Sequence, residues 1–270
     1  MQGRLLPTYN NFYQSHPCML WKKEFPIAKK LELKHIEFIF DDNSPTHLNP
    51  LMNENGIKNI INFSKINRIK IENICADYFM KNPLYETGIN FDQNFNTLLM
   101  LIKNSHKLGV KNIIIPCVDN SSLNSRKKIK NFLNFLEKFN YILEKYKVFL
   151  SLETDLMPKE FKSLINSTHS SWIKVNYDVG NSASLGFNID EEFNAYGQFI
   201  SSVHIKDRKL NGPSVFLGRG DVNFFKLLDN LKNIKYIGNF TMQVFRDKNG
   251  LSIFRKQLKT LKKILQKLLF

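Results

Sequence analysis

Short apolar runs of strand length alternate along the chain with longer stretches in which apolar residues recur every three to four positions. Residues 2–6 are the first strand-like run and residues 35–40 (HIEFIF) the second. Residues 71–79 (IENICADYF), 111–118 (KNIIIPCV), 148–154 (VFLSLET), 173–179 (IKVNYDV), 200–206 (ISSVHIK) and a stretch within 236–245 continue the series. Between them the helical period predicts helices over 21–33, 57–69, 91–108, 125–145, 158–166, 190–198, 221–231 and 251–269. Local signals support these bounds. Gly109 stops the third helix, Pro158 sits at a helix start, and Asp221 reads as an N-cap. Pro116 must lie at a strand's end, because proline cannot donate to a ladder.

The pattern is eight strand-then-helix units. Near-continuous apolar strands separated by helices indicate a parallel sheet covered on its outer side. Eight such units in this length predict an α/β fold, a (β/α)8 barrel. A doubly wound open sheet is the alternative, but it has fewer units, and no GxGxxG follows the first strand. No linker, low-complexity tract or composition break appears, so residues 1–270 read as one domain.

Composition narrows the class. The 270 residues are 43% apolar and 23% charged, which excludes collagen-like and disordered chains. The three cysteines, Cys18, Cys75 and Cys117, are far apart and form no CxxC, so neither a disulfide framework nor a thiolate zinc site is expected. A reducing cytoplasm fits that usage. The N-terminus has no apolar signal region, and no run approaches the roughly 20 apolar residues that span a bilayer. Lys and Arg total 39 against 24 Asp and Glu, a net charge of +15 that attracts phosphates of some kind.

A barrel directs attention to the C-terminal ends of its strands, where catalytic residues gather. Those positions hold Glu37, Asp77, Asp119, Glu153, Asp178, His204 and Gln243. An ionisable group inside an apolar strand is costly unless paired or metal-bound. Glu153, Asp178, His204 and Gln243 come from successive strands and offer three oxygen donors and one imidazole. That mix suits a divalent ion: Mn²⁺, Mg²⁺ or Co²⁺, with Zn²⁺ also admitted. A hydrogen-bonded polar cluster without metal is the alternative.

Local motifs add to this. SLETD (151–155), YDVGNS (177–182) and VHIKDR (203–208) resemble the xylose-isomerase-like TIM barrels, a superfamily of sugar and sugar-phosphate isomerases and epimerases that also contains endonuclease IV. MQGRLLP (1–7), IEFIFDD (36–42) and CADYFM (75–80) resemble its hexulose- and pentulose-phosphate 3-epimerase branch. The resemblance runs from Met1 to about Asp247. It implies that Glu153 is a metal ligand and acid/base, that Asp178 and His204 are ligands, that Asn181 lies near the sugar, and that Lys206 points to substrate.

One departure stands out. The family's fourth ligand, on the last strand, is usually a glutamate that also serves as second acid/base; TMQVFRD (241–247) places Gln243 there. A glutamine oxygen can coordinate, but the amide cannot take up a proton near neutral pH. Two-base epimerisation is therefore in question, single-base aldose–ketose isomerisation and a lyase or dehydratase outcome remain open, and Glu37 or Asp77 is a candidate second base. A different alignment of Gln243 is also open. The endonuclease IV branch implies a three-metal, histidine-rich site, whereas the chain has six histidines and Asn181 where that branch has a ligand. Nucleic acid is thus disfavoured as a partner despite the charge.

For a substrate phosphate, the loop Leu217-Gly218-Arg219-Gly220-Asp221 is a candidate cradle, with Lys206, Arg208 and Arg246 nearby; a plain glycine turn is the alternative. The lysine-rich closing helix and the thiol of Cys117 read as packing, and Trp21 and Phe12-Tyr13 as core or dimer contacts. The expected protein is a cytoplasmic, divalent-metal-dependent isomerase or epimerase of a sugar or sugar phosphate, acting through an enediolate, with a homo-oligomer allowed. A catalytically altered barrel that binds a sugar phosphate or nucleotide sugar is the rival.

Overall fold

The strands are, in chain order, β1 (His35–Ile39), β2 (Lys70–Cys75), β3 (Asn112–Cys117), β4 (Phe149–Thr154), β5 (Ile173–Asp178), β6 (Ile200–Ile205), β7 (Asp207–Arg208), β8 (Ser214–Val215) and β9 (Phe240–Met242). In this computed structural model, which describes residues 1–2, 5–9, 11–12, 14–246 and 250–268, β1 to β6 and β9 form one seven-stranded sheet in that order. Every pairing in it is parallel. β7 and β8 make a separate antiparallel pair. The sheet curls into a nearly closed TIM barrel. Both strand faces are covered, which is why the strands read as apolar runs rather than as alternation.

Met1 and Gln2 fill the seam between β9 and β1. Gln2 bridges Glu37 in parallel, the Glu37 N–H donates to Met1 O at 2.7 Å, and the Gln2 N–H donates to Met242 O at 3.2 Å. Of the strand predicted over 2–6, this bridge is what the described residues show. Leu5 and Leu6 beyond it are buried against the barrel. Gly3 and Arg4 of that stretch, together with Tyr13, Asp247 and Leu269, lie outside the described residues.

The helices are α1 (Glu24–Lys30), α2 (Glu54–Asn67), α3 (Tyr78–Lys81), α4 (Ile89–Leu108), α5 (Arg126–Glu137), α6 (Asn140–Tyr146), α7 (Pro158–Ser167), α8 (Val179–Leu185), α9 (Ile189–Tyr196), α10 (Phe224–Asn233) and α11 (Leu251–Leu268). Four differences from the predicted elements have physical causes. The strand predicted to residue 79 ends at Cys75, because the Tyr78 N–H turns back to Phe40 O and opens α3. The helix predicted over 125–145 breaks into α5 and α6 beside Phe139, whose ring is fully buried against Phe95 and Phe135. Asp221 is not a cap: its Oδ2 accepts from the Leu210 N–H at 2.7 Å, and α10 starts later under the Asn223 side chain. α8 follows β5 without a loop, so its start was hidden inside a strand-like run.

The outer layer packs through aromatic and aliphatic side chains. Phe25, Phe40, Phe79, Phe132, Phe135, Phe139 and Phe254 are among the largest fully buried groups, each contributing about 2–3 kcal/mol by leaving water. Trp21 belongs to this core, edge-on to Phe25, Phe38 and Phe63, while Phe12 is exposed. Phe254 and Leu261 of α11 are buried, and no described helix is long and apolar enough to cross a membrane.

Candidate metal and substrate site

Parallel register brings the strand ends to one rim. Asp178 is the Cα partner of His204, and Glu153 is the partner of Pro116, which is next to last in β3. Glu153, Asp178 and His204 are all buried and each offers a ligand atom within 4.8 Å of the others. His204 Nδ1 lies 3.6 Å from Glu153 Oε2 and 3.7 Å from Asp178 Oδ2.

Each donor is aimed by its neighbours. Asp178 caps α8: its Oδ1 accepts from the Gly180 and Asn181 N–H groups at 3.0 Å, which leaves Oδ2 facing the gap. Glu153 accepts from Asn176 Nδ2 at Oε2 and from Asn181 Nδ2 at Oε1, both at 2.7 Å. His204 Nε2 lies 2.9 Å from Glu37 Oε1. That contact turns Nδ1 toward the other two donors, the carboxylate–imidazole arrangement found behind many metal ligands.

The charges respond to this crowding. Burial, reinforced by the Asp178 charge, pushes the Glu153 carboxyl up to about 7. Burial alone would lower His204, but Glu37, Asp178 and Glu153 outweigh it and raise the imidazole to about 10. Asp178 goes the other way: burial opposes its charge, yet Lys206 and His204 hold it well below the usual carboxylate range. Two anions and a neutralising imidazole around one gap fit a divalent ion, which would take the place of the imidazole proton.

The remaining predicted residues divide. Lys206 Nζ lies 2.7 Å from Asp178 Oδ2 and donates to Gln243 Oε1 at 2.7 Å, so both residues reach the gap. Asn181 links Glu153 to Arg208, whose Nη1 donates to Asn181 Oδ1 at 2.9 Å; the other guanidinium contacts go to Gly212 O. Glu37 stands behind His204 and also accepts from Asn73 Nδ2 at 3.0 Å, so both of its oxygens are engaged inside the barrel. Asp77 lies beyond β2, where it accepts from Gln14 Nε2 at 2.6 Å and Cys75 Sγ at 3.2 Å; burial pushes it up to about 6. Arg246 is buried, donates to Leu6 O and lies near Glu24, tying the last strand to the first residues. Asp119 opens a 3-10 turn after β3. Cys117 is a buried thiol raised by burial.

The glycine loop is a correction. Gly218 and Gly220 both donate their N–H groups to Asp207 Oδ2, at 2.8 and 2.9 Å, and Val222 donates to Oδ1 at 3.2 Å. The fully buried Asp207 is therefore the anion in that cradle, and the N–H groups are not available to a phosphate. Arg219 is exposed, with its guanidinium 5.7 Å from the Phe216 ring centroid, and is not drawn into the Glu153 cluster.

A polar layer inside the barrel escaped the reading of strand ends. Asn112 Nδ2 donates to Asn73 Oδ1 and Ser202 Oγ, both at 3.2 Å, and Ser151 Oγ donates to Asn112 Oδ1. Ser202 Oγ donates to Asn176 Oδ1 at 2.7 Å. With Glu37 on Asn73 and Asn176 on Glu153, an unbroken chain of side chains joins β1 to β6. The available signal was a small polar residue inside each apolar strand from β2 to β6: Asn73, Asn112, Ser151, Asn176 and Ser202.

Comparison with known proteins follows the same lines. The family model for xylose isomerase-like TIM barrels matches residues 25–264. SgbU of Haemophilus influenzae, which carries an L-ribulose-5-phosphate 3-epimerase name, is 25% identical over 247 residues, 85% of each protein. D-psicose 3-epimerase with D-tagatose from Clostridium cellulolyticum H10 has the same fold, with a TM-score of 0.75, 15% identity and 98% of each chain covered. So does a xylose isomerase-like TIM barrel protein from Mycobacterium smegmatis in complex with magnesium: TM-score 0.74, 14% identity, 99% of this chain and 95% of that one. With its parallel barrel and a family match over most of its length, the chain belongs to the xylose isomerase-like TIM barrels.

Proposed function

We propose that the chain, acting as one domain, is a divalent-metal-dependent isomerase or epimerase of a sugar or sugar phosphate. The observation that carries this reading is the convergence of Glu153, Asp178 and His204 at one barrel rim. These three residues would hold the ion, and the donor set admits Mn²⁺, Mg²⁺, Co²⁺ or Zn²⁺. When bound, the ion supplies a Lewis acid that polarises a substrate carbonyl and stabilises enediolate charge.

The protein groups do the rest. Glu153, at the rim with both oxygens oriented, is placed to take a proton from one carbon and return it to the next. Asn176 and Asn181 hold its two oxygens and so fix the direction of attack. Lys206 and Arg208 place positive charge and N–H donors beside the same gap, where substrate oxygens would bind. The name carried by the Haemophilus relative favours a pentulose phosphate among possible substrates. Gln243 brings no titratable group, which favours proton transfer at one face and hence isomerisation over two-base epimerisation.

A nuclease reading has less support: among the described residues a single cluster is able to hold a metal, whereas the histidine-rich alternative needs three ions. The test is incubation of the metal-loaded protein with ketopentose phosphates in D2O. Deuterium at one stereochemical position, dependent on added metal, is the expected result. No exchange with any pentose, hexose or phosphate ester of either would overturn the reading.

A further inference from the structure

We infer that Gln243 is a positioning residue for Lys206 and not a metal ligand, so that three protein donors and one ammonium surround the cation site. This rests on the metal reading of Glu153, Asp178 and His204. Lys206 stands two residues beyond His204, and its stem runs directly over Gly180. A Cβ at Gly180 would lie 2.3 Å from Lys206 Cγ and 3.2 Å from Cε, so only glycine leaves this path open. The path delivers a nearly buried ammonium to Asp178 Oδ2 and Gln243 Oε1, 2.7 Å from each.

The donor arithmetic is informative. An ammonium has three N–H donors and no acceptor. Asp178 and Gln243 engage two, and the third is left for an oxygen of the substrate. Gln243 itself is held by its backbone, where its N–H donates to Ile205 O at 3.0 Å and prolongs the β6–β9 ladder. If its side-chain oxygen also bound a divalent ion, two cations would share one neutral acceptor at close range, which Coulomb repulsion opposes. A neutral amide suits the other use: it fixes the ammonium by a hydrogen bond without placing a second carboxylate beside Asp178. Gln243 and Gly180 therefore act together through Lys206.

The test uses the full chain, stripped of metal and titrated with Co²⁺ alone by calorimetry and visible absorption. Gln243→Ala is expected to change Co²⁺ affinity by less than about threefold and to leave the d–d bands unmoved, while His204→Ala removes Co²⁺ binding, a loss of more than about 100-fold. A tenfold or greater loss in Gln243→Ala, or a shift of its bands, overturns the inference. Retained Co²⁺ binding in His204→Ala would instead overturn the metal reading. The positioning role has its own readout. Mass-spectrometric mapping of acetylation in metal-free protein should show Lys206 labelled several-fold faster in Gln243→Ala and in Gly180→Ala than in wild type. Should either variant unfold, Gln243→Met supplies the same measurement without the acceptor. Unchanged Lys206 labelling in the folded variants sinks the proposal.

Discussion

Two buried aspartates at the same rim make different use of the same chemistry. Asp207 receives three backbone N–H groups, with both oxygens engaged, and sits at 0% exposure under its loop. Asp178 receives two backbone N–H groups on one oxygen and turns the other toward His204 and Lys206. Both anchor a turn of backbone. The difference lies in what the backbone leaves over: nothing at Asp207, and at Asp178 a whole oxygen, which meets the Lys206 ammonium at 2.7 Å. A buried carboxylate satisfied on both sides belongs to the scaffold, and one satisfied on a single side is kept for a cation.

The comparison breaks most visibly at Asp207. Replacing it by Ala removes the charged acceptor of three backbone N–H groups, and we expect about 4 kcal/mol of lost stability in urea unfolding. A loss under about 1 kcal/mol would mean that the loop re-forms without its anion. Metal uptake by the folded fraction should not change.

Asp178→Asn should damage binding as well. The amide oxygen can still cap α8, but the buried Lys206 ammonium loses its carboxylate, so stability should fall by about 3 kcal/mol, and divalent-ion affinity should drop about 10–100-fold by calorimetry. Unchanged divalent-ion affinity in Asp178→Asn, or an equal loss of it in Asp207→Ala, would erase the distinction.

Acidity probes the Asp178 side directly, because the cluster around it is built from displaced titrations. Glu153 is raised from 4.5 to about 7 and His204 from 6.5 to about 10. For a raised group the stabilising contribution is complete below its unfolded value and disappears as pH climbs through its folded value. Glu153 therefore contributes fully below 4.5 and not above about 7, and His204 fully below 6.5 and not above about 10. Asp178, depressed, contributes above 3.8 and loses that only in strong acid. These two groups should accordingly take stability from the metal-free protein between pH 5 and 9, while the stabilisation conferred by Mn²⁺ or Co²⁺ grows over the same range. Melting curves with and without the ion check this, and metal stabilisation that is flat with pH would rule out competition with those protons.

The smallest effect belongs to Arg219. Exposed and stacked on Phe216, it should change stability by less than about 0.5 kcal/mol when replaced by Ala, with no change in affinity for a phosphate ester. A tenfold loss of phosphate-ester affinity would return the glycine loop to the site.

The legible and illegible parts of the molecule separate on physical grounds. Glu153, Asp178 and His204 were readable because a parallel barrel carries all its strand ends to one rim, so position along each strand stands in for position in space. Glu37 was readable in place, but its contact with the imidazole in front of it depends on β6, far along the chain. Asp207 was overlooked and its loop misassigned for a related reason. A glycine turn offering N–H groups looks the same whether its anion is a ligand or a side chain eleven residues earlier. The seam was hidden as well, since Gln2 contributes one bridge where a full strand was expected.

The chain of small polar side chains that joins Glu37 to Glu153 has a consequence for how this protein can change. Asn112 serves three neighbours at once, Asn73, Ser151 and Ser202. An apolar replacement there strands buried groups on three other strands. One substitution is therefore poorly tolerated, whereas a matched set that makes several of these positions apolar together restores packing. Drift in the barrel interior should move in such concerted groups, and the direction in which Glu153 and His204 point is protected from gradual wandering by the same coupling.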